Sequence, residues 1–258
     1  TLAEDAANQA AVMTVATTGD TATLYVINGG NGDGIFAISN AGAITVTDNS
    51  NLDYEGGTQS YTLTIVASDT STSDTDSVTI TITDVNEHDV SAVTDTDNDA
   101  NTLAENVANG ASAEITASAT DSDGSNNAVT YAITAQSCTG AFAVDSASGA
   151  VTVADTTAVD YEAGTTCTID ITATSADTST SSAQFTVTLT DVNDNTPAFT
   201  DGATGTASVA ENVQAVGTFA ATDGDANAAL TYSIIAADAD ATSVDHDLFS
   251  IVGATGAL

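Results

Sequence analysis

The chain has 258 residues, with 36 acidic side chains, two histidines and neither lysine nor arginine, giving a formal net charge of −36. That balance excludes nucleic acid as a direct partner, because binding phosphates needs side-chain cations, and it argues equally against anionic lipid surfaces and phosphorylated substrates. Hydrophobic residues make up 42% of the chain but aromatics only 5%, with no tryptophan, a stock suited to thin sandwiches; no run reaches the ~20 apolar residues of a membrane span, so no membrane contact is expected of this segment.

Taken in chain order, “TLAED” at 1–5 opens a pattern that returns as “TLAEN” at 102–106 and “SVAEN” at 208–212. “GGNGDG” at 29–34 looks like a β-roll calcium repeat, but its Asp is one place early and it occurs once, so it reads as a loop between strands. “FAISNAGAITV” at 36–46 matches “FAVDSASGAVTV” at 142–153 and “FSIVGATGAL” at 249–258. “NLDYEGG” at 51–57 recurs as “AVDYEAG” at 158–164, a spacing of 107 residues from Asp53 to Asp160. “SVTITITD” at 77–84 and “QFTVTLTD” at 184–191 put Val78, Ile80, Ile82 and Phe185, Val187, Leu189 on one face, with Thr on the other. This period of two is that of half-buried antiparallel strands, and β-branched Thr suits the pleat. Each of these strands runs into a knot of acids and amides, “DVNEHDV” and “DVNDNTP”, and Asp84 to Asp191 is again 107 residues. “ATDSDG” at 119–124 returns as “ATDGDA” at 221–226.

Matches at a fixed long period mean tandem modules. Several short strands per module, separated by Gly, Asn, Asp and Ser clusters, indicate all-β Greek-key sandwiches of immunoglobulin-like type, laid end to end. The expected units are 1–89, 90–196 and 197–258, the first with its N-terminal strand incomplete and the third without its last strands. The sequence is therefore expected to be a window onto a longer array.

In the second module the recurring acids are Glu105, Asp160, Glu162, Asp194, Asp223 and Asp225, with Asn193 beside them. In a sandwich laid end to end these positions converge at one pole. Two like charges ~4 Å apart repel by about 1 kcal/mol in water and by several times that at lower dielectric. Hard cations remove the cost, since Ca²⁺ accepts ~6–8 oxygens from carboxylates, amides and carbonyls in flexible geometry, and about three ions balance six carboxylates.

The motifs xEN, DxD, DYE and DxNDNxP, in this order and at this module length, resemble the cadherin repeat, as does the Phe–Gly phrase at “FAVDSASGAV”. The resemblance covers essentially the whole chain. It implies about three Ca²⁺ ions between successive domains, which stiffen the array. At the second junction it implies that Glu105, Asp160, Glu162 and Asp194 hold the first two ions, with the carbonyl of Val192 and Asp225 completing the second. Asn193, Asp223, Asp225 and the carbonyl of Asn195 would hold the third, with a carbonyl near Asn227. At the first junction the matching set is Glu4, Asp53, Glu55, the carbonyl of Val85, Asn86, Asp121 and Asp123. There Glu87 stands where Asp is usual and His88 replaces Asn, contributing a carbonyl, so this junction is expected to bind more weakly. The late-strand ligand is Ser175 or Asp177 depending on the direction of counting, and Asp177 is preferred. Before the first module, Thr18 replaces the first Asp of DxD and only Asp20 is kept. Cys138 follows one strand and Cys167 opens its expected antiparallel neighbour, which implies a disulfide and an oxidising compartment; two free buried thiols are the alternative.

“DTDNDAN” at 95–101 opens like an EF-hand loop but lacks Gly at its sixth place and Glu at its twelfth, leaving an extra Ca²⁺ site or a solvated linker. “DHD” at 245–247 reads as an ordinary loop. Neither His88 nor His246 falls in a catalytic spacing, and the paired carboxylates recur with the repeat as structural ligands do, so no enzyme is expected. The expected function is a calcium-stiffened extracellular spacer of a secreted or cell-surface adhesin or filament. The Thr- and Ala-rich composition is similar to the repeat regions of bacterial adhesins. Its partners would be neighbouring repeats, further copies in a fibre, or a cell-surface ligand. The alternatives are a fibre subunit polymerised by strand donation and a carbohydrate-binding module, the latter disfavoured by the lack of aromatic platforms. The swapped-strand adhesion of vertebrate cadherins uses an N-terminal Trp, which is missing here.

Overall fold

A computed structural model describes residues 1–18, 22–202, 207–226, 228–234 and 249–258. Asp20, Asn227 and residues 245–247 lie outside the described residues. Among those described, regular structure is strand throughout, apart from one short 3-10 turn at Thr156–Ala158. The chain is all-β, built from β-sandwiches in tandem.

The first sandwich has seven strands: β1 (Leu2–Ala3), β2 (Ala11–Thr14), β3 (Leu24–Gly29), β4 (Phe36–Ile38), β5 (Ala43–Val46), β6 (Ser60–Ser68) and β7 (Ser73–Thr83). One sheet has the order β1-β7-β6-β3 and the other β2-β5-β4. The second sandwich repeats this with β9 (Thr102–Ala104), β10 (Ser112–Ser118), β11 (Val129–Gln136), β12 (Phe142–Val144), β13 (Ala150–Val153), β14 (Thr166–Ser175) and β15 (Thr180–Thr190). Ahead of these lies β8 (Thr94–Asp95), which pairs antiparallel with β10. The sheets here are β11-β14-β15-β9 and β12-β13-β10-β8. Farther on, β16 (Ala198–Phe199) pairs with β17 (Ala221–Thr222).

The period of two in the sequence becomes the layering. Tyr61, Leu63 and Ile65 on β6 and Ile80 and Ile82 on β7 are buried against Phe36, Ile44 and Val46 of the facing sheet. Cys167, Ile169, Ile171 and Ala173 on β14 and Val187 and Leu189 on β15 do the same against Ala113, Ile115, Val151 and Val153. Each fully buried Ile, Leu or Val contributes about 1.5–3 kcal/mol relative to exposure. The intervening Thr residues face outward, where cross-strand pairs such as Thr172 and Ser182 bond hydroxyl to hydroxyl at 2.7 Å. The Phe–Gly phrase also acquires a reason. Gly42, Gly149 and Gly256 have φ of +78°, +74° and +65°, and a Cβ there would overlap the backbone carbonyl of Val15, Ala117 and Phe219 respectively.

Two features position the acids. β1 and β9 run parallel to the last strands β7 and β15, with Ala3 beside Thr83 and Ala104 beside Thr190. The next residues, Glu4 and Glu105, therefore sit where those long strands end, their N–H groups on the carbonyls of Thr83 and Thr190. In the second sandwich a disulfide joins Cys138, after β11, to Cys167 on β14, with the Cα atoms 5.5 Å apart. It ties β11 to the same end of the sandwich from which Asp160 and Glu162 project into the joint.

Candidate metal centres at the joints between repeats

Glu4 and Glu105 anchor the two joints in the same way. Glu4 is buried and accepts the N–H of Tyr54 at 2.5 Å with one oxygen and that of Val85 at 2.7 Å with the other. Glu105 accepts the N–H groups of Tyr161 and Val192, each at 2.7 Å. Both glutamates thus pin the DYE turn to the start of the linker. Charge-assisted bonds of this kind contribute about 1.5–3 kcal/mol each.

Further acids gather around each anchor. At the first joint Glu4, Glu55 and Asp84 present oxygens within 4.8 Å of one another; at the second, Glu105, Glu162 and Asp191 do so. The following repeat reaches back into both groups. The Gly124 N–H donates to Glu55 at 2.6 Å, the Ser125 hydroxyl donates to Asp84, and the Ala226 N–H donates to Asp191 at 3.0 Å.

Across the linker lies the DxD loop. Asp123 and Asp225 are buried. One oxygen of Asp123 accepts the N–H groups of Glu87 and His88 at 3.3 and 3.1 Å. One oxygen of Asp225 accepts those of Asp194 and Asn195 at 3.2 and 3.1 Å, and the Asn195 side-chain amide as well. Within each loop the second aspartate donates its N–H to the first, Asp121 or Asp223, at 3.1 Å. Asp121, Asp123 and Asp177 form a third close group. Asp177 accepts the Asn86 side-chain amide at 2.8 Å, drawing the linker and the β14–β15 turn together. Ser175, the other late-strand candidate, is buried with its hydroxyl on the Asn126 carbonyl.

Four buried carboxylate oxygens in these loops have no hydrogen-bond partner: Asp84 Oδ1, Asp121 Oδ2, Asp123 Oδ2 and Asp225 Oδ2. A buried unpaired anion is costly unless a cation or donors face it, and the chain has no Lys or Arg to serve. The donor set is entirely oxygen, the kind that hard divalent ions take. The electrostatics point the same way. Loss of water pushes the Glu55, Glu87, Glu162 and Asp194 carboxyls above the usual range, and the charges of Glu4 and Asp123 add to this at Glu87, as those of Glu105 and Asp225 do at Asp194. Asp84 and Asp177 lie low, held by the Ser125 hydroxyl and by the N–H of Ser179 respectively.

Not every residue singled out in the sequence joins a close group. Asp53 and Asp160 spend one oxygen each on the turn they head, accepting the N–H of Gly56 at 2.8 Å and of Ala163 at 3.0 Å. Asp160 still lies near enough to act on Asp194. Asn193 stands with Asn195 and Asp223 beside a cleft at the second joint. Two residues were passed over in the sequence, Asp84 and Asp191. Each is the last letter of a strand motif recurring at the 107-residue spacing, and that recurrence was the available signal. In the 95–101 segment Asp97 and Asp99 approach Glu114, but no buried unpartnered oxygen is found there among the described residues.

A cadherin domain family model matches residues 99–190. Direct comparison with curated proteins gives no match. Among solved structures, the chain is similar to domains 3–6 of protocadherin gamma B2, at 26% identity and TM-score 0.67, covering 99% of this chain and 61% of that one. It is similar in fold to mouse cadherin-23 EC22–24, at 23% identity and TM-score 0.73, covering 99% and 82%. It is likewise similar to protocadherin gammaB7 EC3–6, described as a cis-dimer, at 24% identity and TM-score 0.74, covering 99% and 61%. The chain thus spans about three fifths of the gamma B2 fragment it matches.

Proposed function

With residues 99–190 belonging to the cadherin domain family and the whole chain folded as cadherin-like repeats in tandem, we propose that this segment is an extracellular spacer whose joints are stiffened by calcium. It acts in structure or adhesion and not as an enzyme. The observation that carries the reading is the set of four buried, unpartnered carboxylate oxygens at the joints of a chain without basic residues. Calcium would supply the missing positive charge there. At the first joint the ligands would come from Glu4, Asp53, Glu55, Asp84, Glu87, Asp121, Asp123, Asn86 and Asp177, with the carbonyls of Val85 and His88. At the second they would come from Glu105, Asp160, Glu162, Asp191, Asp194, Asn193, Asp223 and Asp225, with the carbonyls of Val192 and Asn195. About three ions per joint would suit this supply. The units 1–89, 90–196 and 197–258 would then be held in line across 84–90 and 191–197, segments that become hinges when calcium is removed.

The protein's own residues do the orienting. Glu4 and Glu105 hold the turn and linker, Asp123 and Asp225 hold the linker to the next repeat, and each of these two aspartates keeps its second oxygen without a partner. Small-angle scattering with and without a calcium chelator tests the reading. The maximum dimension should contract and the linkers become protease-sensitive on chelation. Identical scattering profiles would sink the stiffening role.

A further inference from the structure

The edge strand β3 of the first repeat differs from its counterparts in the other two. In the second repeat β11 lies at the same sheet edge, and its Tyr131 N–H, directed away from β14, donates to the Ser146 carbonyl at 3.0 Å. In the third repeat the Tyr232 N–H is taken by the Gly253 carbonyl at 2.8 Å. Tyr25 pairs with Ala67 as Tyr131 pairs with Ala173, so its N–H faces the same open side. It has no such partner among the described residues. The cause is the following turn. Ser39 bonds to Ala43 in the first repeat where Asp145 bonds to Ala150 in the second, so the first turn is one residue shorter and does not cover the edge.

The outward face of this edge is also unusual. Leu24 and Val26 are each 44% exposed, and Val26 sits opposite Val66. The equivalent positions in the second repeat are Thr130, Ala132 and Thr172. Residues 22–32 carry no charge, and the outward positions of β6 and β7 are all Ser, Thr or Val. In a chain with net charge −36, a charge-free sheet face with an open edge is where two copies approach at least electrostatic cost. An open apolar edge is a template for strand pairing.

We propose that β3 pairs antiparallel with β3 of a second copy about a two-fold axis near Val26, joining the two four-stranded sheets into one of eight strands. The contact is isologous, each Leu24 and Val26 lying against the partner's outward face. A six-residue pair covers about 20 Å of edge, less than the ~1,200 Å² of a standard interface calls for, so the dimer is weak and reversible. Because the bodies of both copies are anionic, association strengthens as salt screens them. None of this depends on calcium at the joints.

Sedimentation equilibrium of the full chain over a wide concentration range tests the proposal. A monomer–dimer equilibrium is expected whose association constant rises with ionic strength. It should fall at least tenfold in Val26→Glu, with an unchanged far-ultraviolet circular dichroism spectrum showing that this exposed position still folds. Oxidised Val26→Cys should give a covalent dimer, whereas Ala132→Cys on the capped edge of the second repeat should not. A chain that stays monomeric at high salt, a dimer indifferent to Val26→Glu, or equal cross-linking at both positions would overturn the proposal. So would a dimer that dissociates as salt is added, or a neutral polysaccharide occupying this face in place of a second copy.

Discussion

Replacing Glu105 by Gln separates a structural anchor from a metal ligand. The buried carboxylate takes two backbone N–H groups at 2.7 Å, from Tyr161 and Val192. Gln keeps one acceptor oxygen and turns an NH₂ toward the other N–H, so one charge-assisted bond is lost at a cost of about 1.5–3 kcal/mol. Without calcium part of that cost is offset. Glu105 lies within the close group containing Glu162 and Asp191, and removing one charge relieves about 1 kcal/mol per neighbour at ~4 Å in water. With two such neighbours the net change without calcium is therefore about −0.5 to +1 kcal/mol. With calcium the repulsion is already neutralised, so the full bond cost returns. A tenfold weaker ion adds about 1.4 kcal/mol at saturating concentrations.

The assay is urea denaturation of wild type and Glu105→Gln, each in excess calcium and in excess chelator. The destabilisation should be larger in calcium by at least about 1.4 kcal/mol, the equivalent of one factor of ten in affinity. Equal destabilisation in both conditions would refute the reasoning and leave Glu105 as a backbone anchor only.

Glu87→Asp should raise the calcium affinity of the first joint several-fold, since it restores at that site the shorter acid that Asp194 provides at the second; isothermal titration calorimetry reads the change. The pH response of the raised carboxyls at the joints should reverse on chelation. The raised carboxyls of Glu55, Glu87, Glu162 and Asp194 bind protons in the folded state at pH values where the unfolded chain has released them. For these groups stability falls as pH rises from the unfolded-state range through the raised folded values. These four groups therefore favour the metal-free fold as pH is lowered toward the carboxylate range, against the opposite pull of the lowered Asp84, Asp177 and Asp225, while the increment given by calcium shrinks as protons compete. A thermal-shift series of wild type and the Glu55→Gln, Glu162→Gln double variant in chelator and in calcium isolates the share of the raised carboxyls and checks both signs. Removing the disulfide as the Cys138→Ala, Cys167→Ala pair should cost at most about 3–4 kcal/mol by the chain-entropy estimate for a 29-residue separation, read by chemical denaturation.

The sandwich was legible because its signal is local and repeated. Val78, Ile80 and Ile82 alternate with Thr, and burial alone forces that pattern into a strand with one wet face. The anchors Glu4 and Glu105 were legible for a different reason, as fixed letters in motifs that recur. What the sequence did not disclose is how oxygens are shared. Asp84 and Asp191 look like strand ends, and only the fold brings Ser125 and Ala226 of the next repeat onto them. Asp53 looks equivalent to Glu55, yet one of its oxygens is committed to Gly56 within its own turn. The open edge at Tyr25 was invisible too, since it arises from a one-residue difference in a turn fourteen or more positions away.

The two joints also differ in what tightens them besides an ion. At the second, the Asn195 side chain adds a bond to Asp225 beyond the two backbone donors, and Pro197 fixes the backbone just after it. At the first, His88 stands in place of that Asn and Asp89 in place of Thr196, so Asp123 has only the two N–H groups of Glu87 and His88. Compensation comes from elsewhere: Asn86 reaches Asp177 and Gly124 reaches Glu55, both bonds spanning the repeats. These are side-chain and surface contacts, and exposed ones contribute little against thermal motion. Bending under chelation should therefore start at the first joint, with 84–90 becoming cleavable before 191–197.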